Sequence, residues 1–142
     1  MDPLQIVIDT NVLVSALRSQ RGASFKLVAL VGQSKRFALN VSVPLVLEYE
    51  DVAKRQMPQS GLSEQDVDDV VDYLCSVASR RRIFFLWRPF LKDPKDDMVL
   101  ELAVEAQCDC IVTFNRKDFA GVESKFGVRI LTPKEFLQEI GA

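Results

Sequence analysis

The segment QIVIDTNVLVSAL, Gln5–Leu17, joins a short apolar run to an amphipathic pattern. Ile6–Ile8 is an unbroken apolar run, which is typical of a strand buried on both faces of a parallel sheet. The apolar residues that follow repeat at the 3.6-residue spacing of a helix: Val12, Leu13, Ala16 and Leu17. A strand that leads into a helix is the repeating unit of an α/β fold, so this segment indicates the fold class.

The same alternation of strand and helix patterns continues along the chain. Apolar runs predict further strands at Phe37–Leu39, Ile83–Leu86 and Cys110–Val112, and a short edge strand at Val128–Leu131. Helical spacing predicts helices around Phe25–Val31, Leu45–Val52, Val67–Leu74 and Val99–Ala106, and from Thr132 onwards. We therefore predict a three-layer α/β/α sandwich, with a central parallel sheet of four to five strands, as one domain over residues 1–142.

The composition restricts the cellular compartment. No run of about 18 apolar residues is present to span a membrane, and the start MDPLQ lacks the basic and apolar regions of a signal peptide. Three cysteines, Cys75, Cys108 and Cys110, give an odd count with no disulfide framework. We expect a cytoplasmic protein with no membrane contact and with reduced thiols.

The chain has no histidine, which restricts its chemistry. Histidine-based nucleophilic triads and histidine-rich zinc sites are excluded, so any catalysis is expected to use carboxylates. The net charge of −2 does not by itself indicate a nucleic-acid-binding protein.

Several acids fall at one predicted edge of the sheet. Asp9 directly follows the first strand, and Glu48 lies one turn into the helix after the second strand. Asp96 and Asp97 begin the helix that leads to the Cys110–Val112 strand. In an open parallel sheet the ligand site lies beyond the carboxyl ends of the strands. Carboxylates crowded at this edge would repel one another unless a cation lies among them, and their oxygens favour Mg²⁺ or Mn²⁺.

Each acid also has a structural interpretation. Asp9 fits the N-cap of the following helix, a role that contributes about 1 kcal/mol. In DPKDD, Asp93 fits a cap, and Asp96 and Asp97 would favour the positive end of the helix dipole. Glu48 fits a partly exposed surface acid. Both interpretations remain open for each residue taken alone.

Four segments together resemble the PIN-domain family of metal-dependent ribonucleases. They are VIDTNVLVSAL, PLVLEYEDV, DPKDDMVLELAVEA and IVTFNRKDF, in the order in which that family carries its acidic motifs. The resemblance implies an α/β/α sandwich in which Asp9, Glu48 and a third acid bind Mg²⁺ or Mn²⁺ and are the catalytic residues. It also implies a ribonuclease, and many small members are toxins of toxin–antitoxin pairs.

The third acid is Asp97 or Asp96, because alignment back from Asn115 and back from Ala103 disagree by one position. Asp97 is preferred. The fourth acidic position of the family is often Asp, whereas here it is Asn115, with Asp118 three residues on. A neutral amide would hold a second ion more weakly.

The resemblance also suggests residues around the ligands. Thr10, Asn11 and Thr113 are expected to orient the carboxylates, with Asn11 also placed to contact a phosphate oxygen. Arg116 is expected to bind the RNA backbone, as are Arg18 and Lys117.

The sequence therefore predicts a metal-dependent endoribonuclease, and the resemblance adds an antitoxin protein as partner. The alternatives are an inactive PIN-like domain that binds RNA or protein, and a haloacid-dehalogenase-like phosphatase. That phosphatase needs an acid two residues after its first Asp, where this chain has Asn11. The helix-period segment Val67–Val77 is either the surface of a homodimer or packs on its own domain.

Overall fold

The computed structural model describes residues 2–56, 61–83 and 90–142. The described residues form five strands: β1 (Leu4–Ile8), β2 (Phe37–Val41), β3 (Ser79–Arg80), β4 (Cys110–Val112) and β5 (Arg129–Leu131). They pair in the order β3-β2-β1-β4-β5, and every pair is parallel. The predicted fold class, an α/β sandwich with a parallel sheet, is confirmed.

Seven α-helices lie in the described ranges. They are α1 (Thr10–Arg18), α2 (Ala23–Leu30), α3 (Val43–Arg55), α4 (Glu64–Val77), α5 (Pro94–Glu105), α6 (Val122–Phe126) and α7 (Pro133–Glu139), with a 3-10 turn at Arg116–Phe119. Right-handed crossovers place α1 to α4 on one face of the sheet and α5 and α6 on the other. No helix in these ranges is long and apolar enough to cross a membrane.

The third strand of the described residues begins earlier in the chain than the predicted run Ile83–Leu86. Ile83 lies outside any strand, and residues 84–86 of the predicted run lie outside the described residues. Ser79 and Arg80 instead pair with Asn40 and Val41 of β2. An edge strand pairs through its backbone on one side only, and its side chains need not be apolar. The polar dipeptide Ser79–Arg80 therefore shows no apolar run in the sequence.

The core is built from the two central strands and the helices packed on them. Ile6, Val7, Ile111 and Val112 are fully buried, as expected for strands covered on both faces. All three cysteines are unpaired, with Cys108 and Cys110 buried. Burial raises the pKa of the Cys108 thiol to about 12, so this thiol stays protonated at neutral pH.

The apolar stripe of α4 faces its own domain. Val67, Val71 and Leu74 are buried in the core, while Val70 is half-buried and Val77 remains exposed. The stripe as a whole is therefore not a free dimer surface. The homodimer itself stays a prediction.

A buried tyrosine joins α3 to the end of β1. The Tyr49 hydroxyl donates a hydrogen bond to the Ile8 carbonyl oxygen, and the ring is among the largest fully buried side chains. Burial, followed by the nearby charge of Asp9, raises the pKa of Tyr49 well above its ordinary value, so the hydroxyl keeps the proton it donates. This bond sets the position of Glu48, the preceding residue, relative to Asp9.

We expect Tyr49→Phe to lower the free energy of unfolding by about 1–3 kcal/mol, because it leaves a buried carbonyl without its donor. Urea denaturation followed by circular dichroism measures the change. Tyr73→Phe is the matched control: it also removes a bond to a carbonyl, that of Val31, but Tyr73 is 39% exposed and water can replace it. Equal losses in the two variants would contradict the role assigned to Tyr49.

Candidate metal centre

Asp9 lies at the carboxyl end of β1, where it is 8% exposed. One carboxylate oxygen accepts a hydrogen bond from the Thr10 amide at 2.9 Å, which caps α1. The other oxygen accepts from the Thr113 hydroxyl at 2.8 Å. Asp9 is thus both the N-cap and a member of the acidic cluster, so the two interpretations from sequence are compatible.

Thr113 is the centre of a hydrogen-bond network at the end of β4. Its hydroxyl donates to Asp9 and accepts from the Asn115 amide at 3.0 Å. The Asn11 side-chain amide reaches the same hydroxyl at 3.4 Å, and the Asn11 carbonyl accepts from the Phe114 amide. The network ties β4 to the start of α1 and fixes the orientation of the Asp9 carboxylate. Asn11 is held by these contacts within the protein.

Glu48 reaches the same edge from the second turn of α3. Its side chain is 17% exposed, and one oxygen lies 3.5 Å from the Lys95 ammonium nitrogen. Lys95 is the second residue of α5, and no pattern in the sequence predicted it at this edge. This cation offsets part of the negative charge at the cluster.

The structure separates the two neighbouring acids of α5. Asp97 is 1% exposed, and one of its oxygens accepts from the backbone amides of Leu91 and Phe90, at 2.9 and 3.2 Å. It therefore holds the segment before the helix and does not line the acidic cleft. Asp96 does line the cleft, three residues before Val99 on the same face of the helix.

A cleft of about 160 Å³ brings together most of the predicted site residues. Its polar lining consists of Asp9, Thr10, Asn11, Glu48, Asp93, Lys95, Asp96, Asn115 and Asp118. Asp118 enters from the 3-10 turn that follows Asn115. Asp93 was expected only as the cap of α5, a role it also has through a 2.9 Å bond to the Lys95 amide.

Arg116 lies outside the cleft lining. Its guanidinium is paired with Glu135 at 3.3 Å, on the side of the molecule formed by the start of α7. Thr113 is also absent from the lining surface, because it is fully buried behind Asp9.

The acids of the cleft perturb one another. Burial, followed by the negative charges of Asp9, Asp118, Asp93 and Asp97, raises the pKa of Asp96 to about 7. The pKa of Asp9 is also raised, chiefly by burial, although the bonds from Thr113 and Thr10 oppose the shift. A cation among these groups would stabilise their charged forms.

The donor chemistry of the cleft fits a hard divalent cation. Carboxylate and amide oxygens are the ligands that Mg²⁺ and Mn²⁺ take, and the cleft presents five carboxylates against a single lysine. Within the described ranges, no three acidic or cysteine side chains are placed closely enough to hold one ion as they stand. An ion held there by one or two carboxylates would complete its coordination with water, as Mg²⁺ commonly does.

We expect Asp96→Asn to raise the melting temperature in EDTA at pH 8 and to change it little at pH 4. The folded-state pKa of about 7 lies above the ordinary value of 3.8 for an aspartate, so the stability provided by protonated Asp96 is present below pH 4 and lost as pH rises through 7. Melting curves between pH 4 and 8 give the difference between variant and wild type. Asp51→Asn, at an exposed acid of α3, is the control, and a pH-independent difference for Asp96→Asn would contradict the electrostatic assignment.

Comparisons with known proteins bear on the family and on the fold. A sequence model of the PIN domain matches residues 5–117, a range that includes Asp9, Glu48, Asp96, Asp97 and Asn115. The fold is similar to a chain of VapBC2 from Rickettsia felis, crystallised with a DNA fragment from its promoter. The TM-score is 0.62 with 11% sequence identity, over 91% of this chain and 98% of that one. No curated protein sequence gives a significant match. The family model matches well over half of the chain's length, and the chain therefore belongs to the PIN domain family.

Proposed function

We propose that the protein is a metal-dependent endoribonuclease that hydrolyses RNA phosphodiester bonds. The observation that carries the proposal is the cleft in which Asp9, Glu48, Asp96 and Asp118 meet at the carboxyl ends of β1 and β4. These are neighbouring strands at the point where the strand order reverses, which is where open α/β sheets place their ligand sites. Membership of the PIN domain family supports the same activity.

Asp9, Glu48 and Asp96 are the proposed ligands of Mg²⁺ or Mn²⁺. The geometry favours Asp96 over Asp97, the reverse of the preference from sequence, because both hydrogen bonds to Asp97 come from backbone amides away from the cleft. Asn115 and Asp118 line the opposite side and are the proposed ligands of a second, weaker ion. A bound divalent ion would lower the pKa of water and neutralise charge on the phosphoryl oxygens.

The residues around the ligands have their own proposed tasks. The Thr113 hydroxyl and the Thr10 amide hold the two oxygens of Asp9, so its carboxylate is oriented before any ligand binds. Lys95 lies beside Glu48 and lowers the repulsion between that acid and an approaching phosphate. The cleft is open to solvent on the side of Asn115 and Asp118, where an RNA strand can approach.

Two other activities fit the structure less well. A haloacid-dehalogenase-like phosphatase needs a general acid two residues after Asp9, and Asn11 there is engaged with Thr113 and has no acidic proton. An inactive binding domain would show neither stabilisation by Mn²⁺ nor RNA cleavage. Melting curves with and without Mn²⁺ therefore distinguish that alternative from a nuclease.

We expect Asp96→Asn to reduce Mg²⁺-dependent cleavage of single-stranded RNA by more than roughly 100-fold. In metal enzymes, removing a residue that hydrogen-bonds to a metal ligand lowers metal affinity or activity about 10- to 100-fold. Removing a ligand itself is expected to lower activity further. Gel assays with purified protein and EDTA controls measure the rate. Asp97→Asn is the matched control, since its amide oxygen can still accept from the Leu91 and Phe90 amides. An active Asp96→Asn beside an inactive but folded Asp97→Asn would assign the metal to Asp97.

A toxin role is a further part of the proposal. The structural relative from Rickettsia felis was crystallised as VapBC2 with DNA, and the fold likeness supports a partner protein for this chain as well. We propose an antitoxin as that partner and a cytoplasmic location. The described part of the chain carries an apolar recess that includes Leu17, Phe25, Val28 and Tyr73, a surface suited to a protein partner.

If the protein is such a toxin, its induced expression in a bacterial host should arrest growth through RNA cleavage. The Asp96→Asn variant, expressed to the same level, should leave growth unchanged. Growth curves and total RNA gels from the two cultures measure both effects. Equal growth arrest by wild type and variant would contradict a toxin that acts through this site.

A further inference from the structure

A second cleft opens beside the acidic one, between α1 and α3. It has a volume of about 600 Å³, within the range of pockets that bind small organic molecules. Thr10, Asn11 and Glu48 line both clefts, so the two are continuous. A strand of RNA bound at the acids has a direct path into this larger space.

The walls of this cleft repeat with the turns of the two helices. α1 contributes Asn11, Ser15 and Arg18, and α3 contributes Glu48, Val52 and Gln56. The eight steps from Glu48 to Gln56 correspond to a length of roughly 12 Å along the helix axis. The cleft therefore leads from the acids at one end to Arg18 and Gln56 at the other, and we call it the α1/α3 cleft.

Arg18 is the basic residue of this cleft. It is exposed at the last turn of α1, and it has no ion-pair partner among residues 2–56, 61–83 and 90–142. Of the other cations, Lys95 lies beside Glu48 and Arg116 is paired with Glu135. A guanidinium binds a phosphate through two parallel hydrogen bonds, so Arg18 can take a backbone phosphate without losing an existing partner.

Gln56 supplies an unused acceptor in the wall of the same cleft. Its side-chain carbonyl oxygen is buried and has no hydrogen-bond partner within the described ranges. Buried polar atoms are normally hydrogen-bonded, so this oxygen is suited to a donor brought by a ligand. A ribose 2′-hydroxyl and a base amino group are both such donors. Val14 and Val52 give the apolar surface on which a base can pack.

The chemistry of the α1/α3 cleft favours a nucleotide over a protein segment. Its lining combines hydroxyl and amide groups with one cation, Arg18, and its one acid, Glu48, is shared with the cleft proposed to cut phosphodiester bonds. The apolar recess formed by Leu17, Phe25, Val28 and Tyr73 is the surface that fits a protein helix better.

We propose that the α1/α3 cleft binds the RNA nucleotide next to the cleaved bond, with its phosphate on Arg18 and a sugar or base donor on the Gln56 amide. This inference rests on the proposed ribonuclease function. It makes Arg18 and Gln56 residues that position the substrate, while the acids remain responsible for the chemistry.

The first test measures RNA binding without cleavage. Fluorescence anisotropy of a labelled single-stranded RNA is measured in EDTA, in the Asp96→Asn background. Arg18→Gln should weaken binding about tenfold, the effect of one lost charged hydrogen bond. It should also reduce the magnitude of the slope of log association constant against log salt concentration by about 0.7, the value for one phosphate contact on a single strand. Arg21→Gln removes the same charge three residues on, outside the cleft, and should change binding little.

The second test concerns the amide. Gln56→Met keeps the length of the side chain and removes the acceptor, so RNA should bind more weakly. If the donor is the 2′-hydroxyl, the variant also loses the preference for RNA over DNA of the same sequence. If the donor is a base amino group, it loses a preference among bases instead. Unchanged binding of both nucleic acids would overturn the role of Gln56.

Steady-state cleavage with Mg²⁺ separates this inference from the proposed function. An active enzyme in which Arg18→Gln and Arg21→Gln have the same KM and the same salt dependence would overturn the α1/α3 cleft and leave the ribonuclease intact. Binding that depends on Arg18 in a protein without any metal-dependent cleavage would overturn the ribonuclease and support the cleft as an RNA site. A raised KM with a nearly unchanged kcat in Arg18→Gln supports both.

Discussion

The hydrogen bond from the Thr113 hydroxyl to the Asp9 carboxylate joins the ends of the two central strands, β1 and β4. These strands are neighbours in the sheet but are separated by about a hundred residues in the sequence. The bond is buried, and it closes the network that includes Asn11 and the Asn115 amide. The cleft residues on α1 and α3 depend on this pair, because Asp9 caps α1 and Tyr49 of α3 bonds to Ile8, the residue before Asp9. Displacing Asp9 would therefore displace both clefts.

The crowding of acids in this cleft lowers the stability of the folded protein. Burial and mutual repulsion raise the pKa of Asp96 to about 7, which means that its charged form is disfavoured in the folded state. The rest of the fold compensates through the apolar core on both faces of the sheet and through the bonds that hold Asp9. Sites that bind cations commonly carry this kind of strain, since ligand charge that repels in isolation provides binding energy when the ion is present.

The arginines around the acidic cleft differ in whether they are paired within the protein. On the side of the 3-10 turn, Arg116 is paired with Glu135, so its charge is already neutralised within the protein. On the side of α1 and α3, Arg18 is unengaged within the described residues and Gln56 offers an acceptor. A polyanion that must approach several carboxylates gains from a cation that is not already paired within the protein, and Arg18 is such a cation within the described residues. Substrate orientation can thus arise from the helix faces beside the site as well as from the ligands themselves.

The sequence by itself determined the order of strands and helices and the edge at which the acids meet. Apolar runs and helical spacing are local signals, and the carboxyl ends of parallel strands necessarily share one edge, so Asp9 and Glu48 could be placed before any coordinates. The tertiary structure decided which of Asp96 and Asp97 lines the acidic cleft. Adjacent residues on a helix point about 100° apart, and which of them faces the cleft depends on how α5 rotates when it packs on the sheet. It also decided that Ser79–Arg80 forms the edge strand, because that pairing depends on the backbone of β2 and leaves no apolar pattern in the sequence.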